Sequence, residues 1–202
     1  MAHINPLREA FVNSPFSTAA NASIEEERKE QQEKDLRAFL SARGITSVWH
    51  FTDKSNLPSI MEQGLLSLYK LITQRMLPKY SASSKKSKLE DVKKRLSGYV
   101  HLSFIQDHPL YHVALSENRI IDPVWIEIDL SVVFEPETRF CSQVANAHGS
   151  ELFAIDHLQT KIDFDTMLFS RDFDAYKEAR KAEILVRDRI SPDKFIGVYD
   201  GK

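Results

Sequence analysis

Lys181-Ala-Glu-Ile-Leu-Val186 reads as a buried strand, since Ala182, Ile184, Leu185 and Val186 surround a single acidic position. A carboxylate buried there without a partner would cost about 2 kcal/mol or more. Glu183 therefore either faces water at a sheet end, as polar positions of an alternating strand do, or lies in a cleft that uses its charge.

Upstream, Val48-Trp-His-Phe-Thr52 is a second strand, short, β-branched and aromatic, closed by turn or cap residues Asp53 to Ser55. Pro58 opens a short helix with Leu57, Ile60 and Met61 on one side, and Gly64 ends it. His50 and Thr52 are two residues apart and so share a strand face beside a helix N-terminus, whose free N–H groups suit a phosphate or a carboxamide. A structural histidine is the competing reading of His50.

The other strands expected are Tyr99 to Phe104, Val124 to Leu130 and Phe195 to Val198, with a short helix over Pro109 to Ser116. Strands scattered among short helices predict an α+β domain whose strands pair from distant parts of the chain. Residues 1 to about 22 read as an arm. Ser23 is placed to cap a largely polar helix, Ile24 to Ala42, stopped by Gly44. Ser81 to Lys88 is expected to be a mobile loop. Leu89 to Leu96 then has helical spacing, with Leu89, Val92 and Leu96 on one side and Lys93, Lys94 and Arg95 around the other. These cations ordinarily face solvent; in a nucleotide-using enzyme the same cations would meet pyrophosphate or a nucleic-acid backbone.

At 202 residues and 42% hydrophobic, the chain suits one domain with a sizeable core. A net charge of −2 argues against capture of nucleic acid by a bulk positive field, although a local basic groove is compatible with it. Cys141 is the only cysteine, so no intrachain disulfide forms and a cytoplasmic location is expected. No apolar stretch is long enough to span a membrane. Gly-x-Gly-x-x-Gly is absent, which leaves no Rossmann fingerprint. No nucleophile elbow supports acyl transfer. His108-Pro-Leu-Tyr-His112 has i, i+4 spacing, but Pro109 puts His108 at a helix cap and no His-Glu-x-x-His occurs, so no metal is expected.

His50-Phe-Thr52, Asn56-Leu-Pro-Ser-Ile60, Gly64-Leu-Leu66, Tyr99-Val-His-Leu-Ser-Phe104, Asn146-Ala147 and Lys181-Ala-Glu-Ile-Leu-Val186, taken in order, resemble the DarT family of DNA ADP-ribosyltransferase toxins over roughly residues 45 to 199. The resemblance implies an ADP-ribosyltransferase-like pair of facing mixed sheets around an NAD cleft, over residues 45–202, preceded by an arm and helix over residues 1–44. NAD would be a substrate, and single-stranded DNA the acceptor. The cognate partner would be an antitoxin with ADP-ribosyl-hydrolase activity. Alternatives are a related transferase acting on RNA or protein, and a non-catalytic nucleotide-binding module.

The resemblance also implies roles. Glu183 would stabilise the positive charge that develops on the ribose as the nicotinamide bond breaks. Arg95, from the helix ahead of the Tyr99 strand, would assist the dinucleotide, with Lys94 the lesser candidate. His50, Phe51 and Thr52 would orient the nicotinamide end, and Ser59 and Leu66 join the NAD contacts. Ahead of the catalytic strand, Phe169, Arg171, Phe173 and Tyr176 offer stacking faces and a cation for single-stranded DNA. The ordinary reading of Leu168, Phe169 and Phe173 is core packing. His108 is a further candidate for substrate contact. Guanine and thymine are both possible acceptors, and His108-Pro-Leu together with the short chain favours guanine.

Overall fold

The computed structural model describes residues 15–201, with side chains from residue 21 onward. The chain divides into two compact units at Gly44. The first contains helix α1 (Pro15–Ser41). It begins well before Ser23, the expected cap, because Ala19, Ala20 and Ala22 favour helix and carry it through that position. The expected arm is thus helical from Pro15 onward, and residues 1–14 lie outside the described residues. Polar pairs line the helix, with Gln31 donating to Asp35 at 2.8 Å and Arg37 to Glu33 at 2.8 Å.

The second unit carries β1 (Ser47–Asp53), α2 (Leu57–Gln63), β2 (Leu65–Leu66), α3 (Leu68–Thr73), α4 (Lys85–Lys93), β3 (Tyr99–Ser103), α5 (Pro109–Ser116), β4 (Pro123–Asp129) and β5 (Arg139–Cys141). Then follow α6 (Leu158–Lys161), α7 (Phe164–Phe169), α8 (Phe173–Ala179), β6 (Glu183–Arg187), β7 (Arg189–Ile190) and β8 (Phe195–Asp200). Six strands form one sheet in the order β5-β6-β3-β1-β4-β8, and β2 pairs with β7 in a two-stranded ribbon. Two sheets were expected, but their strand directions are not mixed: each of these pairings is antiparallel. β3 and β4 do run in the same sense, yet β1 lies between them, antiparallel to both.

Strand alternation sorts the residues of the large sheet onto two faces. Val48, Val124, Ile126 and Ile128 are wholly buried on one face of β1 and β4. The other face carries aromatic packing, with Phe51 at 5.2 Å from Trp125 and 5.6 Å from Tyr111 of α5 between ring centroids. Ile184 and Val186 of β6 are likewise wholly buried. Gly64 ends α2 at φ +83°, and a Cβ there would lie 2.2 Å from the Ile190 carbonyl oxygen, so only glycine lets β2 approach β7.

Helix α4 departs from the expected pattern. The Ser84 hydroxyl accepts from the Ser87 N–H, so the helix starts inside the lysine-rich segment expected to be a loop. Leu89 and Val92 are 61% and 54% exposed, while Asp91 is buried. The face turned inward is therefore the one bearing a carboxylate.

Asp53 ties the end of β1 to the start of β4. Its carboxylate accepts from the backbone N–H groups of Ser55, Ile121 and Asp122 at 3.0, 2.7 and 3.1 Å. Burial opposes the charge, but these bonds and the Ser55 hydroxyl outweigh it and lower the pKa from 3.8 to about 2. A folded-state pKa below the unfolded value stabilises the protein above the unfolded pKa, and that contribution disappears as pH falls towards 2. The shift corresponds to about 2 kcal/mol. In urea unfolding, Asp53→Asn should lose about that much at pH 7, with the deficit shrinking between about pH 4 and pH 2. A deficit constant over that range would contradict the assignment.

Candidate active site

β1 and β4 are paired from Ser47 opposite Asp129 to Asp53 opposite Pro123, whereas β1 and β3 share the single pairing Trp49 opposite Ser103. Past that point β1 and β3 part. A cavity of about 320 Å³ opens there, lined by His50, Phe51 and Thr52 of β1 and by Tyr99, Val100 and His101 of β3. Ser59 and Leu66 line it as well. A second cavity of about 120 Å³ shares His50, Phe51, Asp91 and His101 with the first and adds Ser103, His108, Asn146 and Glu183. The register explains the arrangement: Glu183 shares a face with Ser103 and Trp49, and His50 points to the other. The split between β1 and β3 brings the two faces into communication.

His50 and Thr52 share a face of β1. The His50 Nδ1 lies 3.0 Å from the His101 carbonyl oxygen. A carbonyl only accepts, so Nδ1 carries the proton and Nε2 is left as an acceptor. Burial is the main cause that lowers the His50 pKa to about 4, so the ring is neutral near pH 7. The Thr52 hydroxyl accepts from Asn56 Nδ2 at 3.1 Å, and Asn56 also donates to the Tyr80 carbonyl at 2.8 Å. That leaves the Thr52 O–H proton available as a donor.

Glu183 is 6% exposed and bonded through one oxygen. Its Oε2 receives the His101 Nδ1 at 3.1 Å and the Ala145 N–H at 3.0 Å. Burial pushes its pKa up, but the His101 charge and hydrogen bond, His108 and the Ala145 N–H together hold it below the usual carboxylate value. His101 moves the other way: burial lowers it, and Glu183 and then Asp91 raise it further. Each partner thus favours the charged form of the other, a carboxylate facing an imidazolium. Asp91 stands behind them, its pKa raised by burial and its Oδ1 held by Asn146 Nδ2 at 2.9 Å.

Other expected residues fall elsewhere. Arg95 is exposed beyond the end of α4, in the left-handed region at φ 60°, and lines neither cavity. Lys94 donates to the Ala147 carbonyl and, at 3.1 Å, to the Ser150 hydroxyl. The α4 cation that does line the larger cavity is Lys88, whose pKa burial lowers. Phe169 and Phe173 are 67% and 73% exposed, which overturns the core reading of these rings, while Phe164 and Met167 fill the core instead. Arg171 is exposed and Tyr176 half-buried, with the Arg180 guanidinium 4.4 Å from the Tyr176 ring centroid. His108 does not present its ring to an exposed DNA path: it is 2% exposed and caps α5, its Nδ1 accepting from the Leu110 N–H at 3.2 Å. His112 pairs with Asp107. Among the described residues no group of His, Cys, Asp and Glu is arranged to hold a metal, and no helix is long and apolar enough to cross a membrane.

Sequence reasoning missed His101, Asp91 and Lys88. For His101 a signal was present, since it is a polar residue inside a buried strand, the criterion that singled out Glu183. For Asp91 and Lys88 the lysine-rich setting concealed which side of α4 turns inward.

The sheet is split, with the buried Glu183 at the opening and the neutral His50 on the wall of the cavity. The family described as DarT, ssDNA thymidine ADP-ribosyltransferase, matches residues 49–200, and the chain belongs to that family. No curated protein matches it. Similar solved structures include Thermosipho africanus DarTG in complex with ADP-ribose, at 18% identity and a TM-score of 0.64. That match covers 77% of this chain and 44% of the other, so the chain spans less than half of that relative's length. Thermus sp. 2.9 DarT in complex with ADP-ribosylated ssDNA is 15% identical with a TM-score of 0.59, covering 77% of this chain and 81% of that one. The same protein in complex with NAD+ matches at 16% and 0.58, covering 76% and 81%. At these identities the likeness concerns the fold.

Alanine at His50 or Thr52 should weaken NAD binding about three- to tenfold, the loss of a hydrogen bond or two. Calorimetry on a Glu183→Gln background measures this without turnover. Unchanged affinity in both variants, with intact folding, would make them structural residues only.

Proposed function

We propose that this chain is an NAD-dependent ADP-ribosyltransferase that modifies a base in single-stranded DNA. The observation that carries the reading is the split between β1 and β3, with a Glu183 carboxylate whose Oε1 makes no hydrogen bond among the described residues and is available to a substrate. In the reaction, the bond between nicotinamide and ribose C1″ breaks and neutral nicotinamide leaves. A base nitrogen then forms the new bond to C1″ and gives up its proton. Positive charge develops on the ribose as the first bond breaks, and a fixed carboxylate stabilises it where it forms. Glu183 supplies that carboxylate and accepts the base proton. His50 Nε2 accepts from the carboxamide N–H₂, and Phe51 and Thr52 hold the nicotinamide end in place. Lys88 replaces Arg95 and Lys94 as the cation for the dinucleotide phosphates, because it alone of the three lines the cavity.

Thymidine is the proposed acceptor. The family description names it, which favours thymidine over the guanine expected from His108-Pro-Leu and the short chain. An enzyme reaches a base nitrogen only when the base is unpaired or extruded, which suits a single strand. Phe169, Arg171 and Phe173 form the proposed platform for it, with Tyr176 at its edge, and Lys85 to Arg95 supplies phosphate contacts. Family membership supports a toxin, with a cognate antitoxin whose hydrolase activity removes the ADP-ribose, acting in the cytoplasm.

Incubation with NAD labelled in the adenylate part tests the reading. Label should enter a thymidine-containing single strand and be absent from its duplex and from strands lacking thymidine. Phe173→Ala should lower strand affinity about tenfold by loss of one stacked base. Label on RNA or protein would replace the acceptor, and NAD retained uncleaved would point to a binding module.

A further inference from the structure

Among the described residues, His101 is the one whose side chain bonds to Glu183 and which lines both cavities. Its backbone carbonyl meets His50, so a single residue links the two candidate reacting groups. Both bonds to the glutamate, from His101 and from the Ala145 N–H, end on Oε2. The carboxylate is thereby held in one rotation, with Oε1 left for the substrate.

We propose that His101 is a positioning residue, which orients the Glu183 carboxylate within the sheet through its Nδ1 hydrogen bond. The proposal rests on the transfer reading given above and adds a residue to it. Asp91 completes the arrangement from α4. Its carboxylate, anchored by Asn146, favours the imidazolium and has no hydrogen bond to Glu183. Asn146 also accounts for the link to Ala145, since the loop that supplies the N–H is fastened to α4 through the neighbouring residue and through Lys94 on the Ala147 carbonyl. Glu183, His101, Ala145 and Asp91 thus form one unit drawn from β6, β3, the loop after β5, and α4.

The charged and titratable groups around the pair come from every neighbouring element. β1 contributes His50, neutral and therefore without charge to offer. α4 contributes Asp91 and Lys88, and the start of α5 contributes His108. β5 places Cys141 opposite Glu183, its thiol pushed up by burial and so uncharged. Arg119 lines the smaller cavity but is engaged by Glu117 at 2.8 Å. Of these, only His101 donates a side-chain hydrogen bond to Glu183.

The sign of the pH effect follows. The Glu183 pKa lies below its ordinary value because His101 more than offsets burial. Without the imidazolium, burial prevails and the pKa rises, so the acid limb of kcat moves to higher pH. His101→Ala should lower kcat at pH 7 about tenfold or more while the KM for NAD changes less than threefold. His101→Asn keeps a neutral donor near the Nδ1 position. It should recover part of the rate as pH rises and more of the glutamate ionises, and keep the raised acid limb.

A carbon-13 NMR titration of the Glu183 carboxyl in the parent and in His101→Asn reads the same shift without turnover, and His101→Gln serves if either variant fails to fold. A raised Glu183 pKa in the variants, with the KM for NAD preserved, is the expected result. An unshifted pKa overturns the assignment whatever the activity, as does a raised KM with unchanged kcat, which would make His101 an NAD contact. A parent that folds and titrates but transfers nothing sinks the transfer reading, and the positioning role with it.

Discussion

A carboxylate held ionised inside a sheet is the constraint on which the rest of the structure turns. Glu183 is nearly inaccessible, and a charge at such a depth is lost to protonation unless hydrogen bonds and an opposite charge compensate it. Compensation comes from His101 on the adjacent strand and from the Ala145 N–H on the loop after β5. Each of these elements has to be fixed for the charge to survive. Asp91, Asn146 and Lys94 are explained by that need, because they fasten α4 to the loop that holds Ala145.

The sheet solves a second problem, which is to be continuous for stability and open for a ligand. β1 is paired along its length with β4, so its backbone groups are satisfied on that side. On the other side it is paired with β3 at one position, and residues of both strands line the cavity beyond it. Asp53 anchors the far end of β1 against the segment that leads into β4, which keeps the opened strand from fraying. His50, bonded to the His101 carbonyl across the gap, is both a wall of the cavity and a strut between the two strands.

Strands β1, β3, β4, β6 and β8 were legible from the sequence because their β-branched, aromatic and apolar residues form short runs, whereas β5, three residues long, was not, and the short helix at Pro109 was legible from its proline and cap. The same runs marked Glu183, His50 and Thr52. What could not be read was anything fixed by packing between distant segments. The two-residue strands β2 and β7 are too short to carry a pattern, and α1 extends past Ser23 because helix propensity upstream outweighs a cap signal. In α4 the apolar residues Leu89 and Val92 face outward and Asp91 inward, which apolar spacing alone does not reveal. Arg95 was chosen by its place in a resemblance, and the helix ends before reaching it, leaving Lys88 one turn and more upstream at the cavity.

The account stands or falls on the charge of Glu183. Single-turnover transfer from NAD to a thymidine-containing strand, compared between the parent and Glu183→Gln with NAD saturating, measures it most directly. Gln keeps the size and removes the charge, so the rate should fall by at least about a hundredfold while NAD affinity and melting temperature hold. A Glu183→Gln protein that transfers at the parent rate would contradict the account.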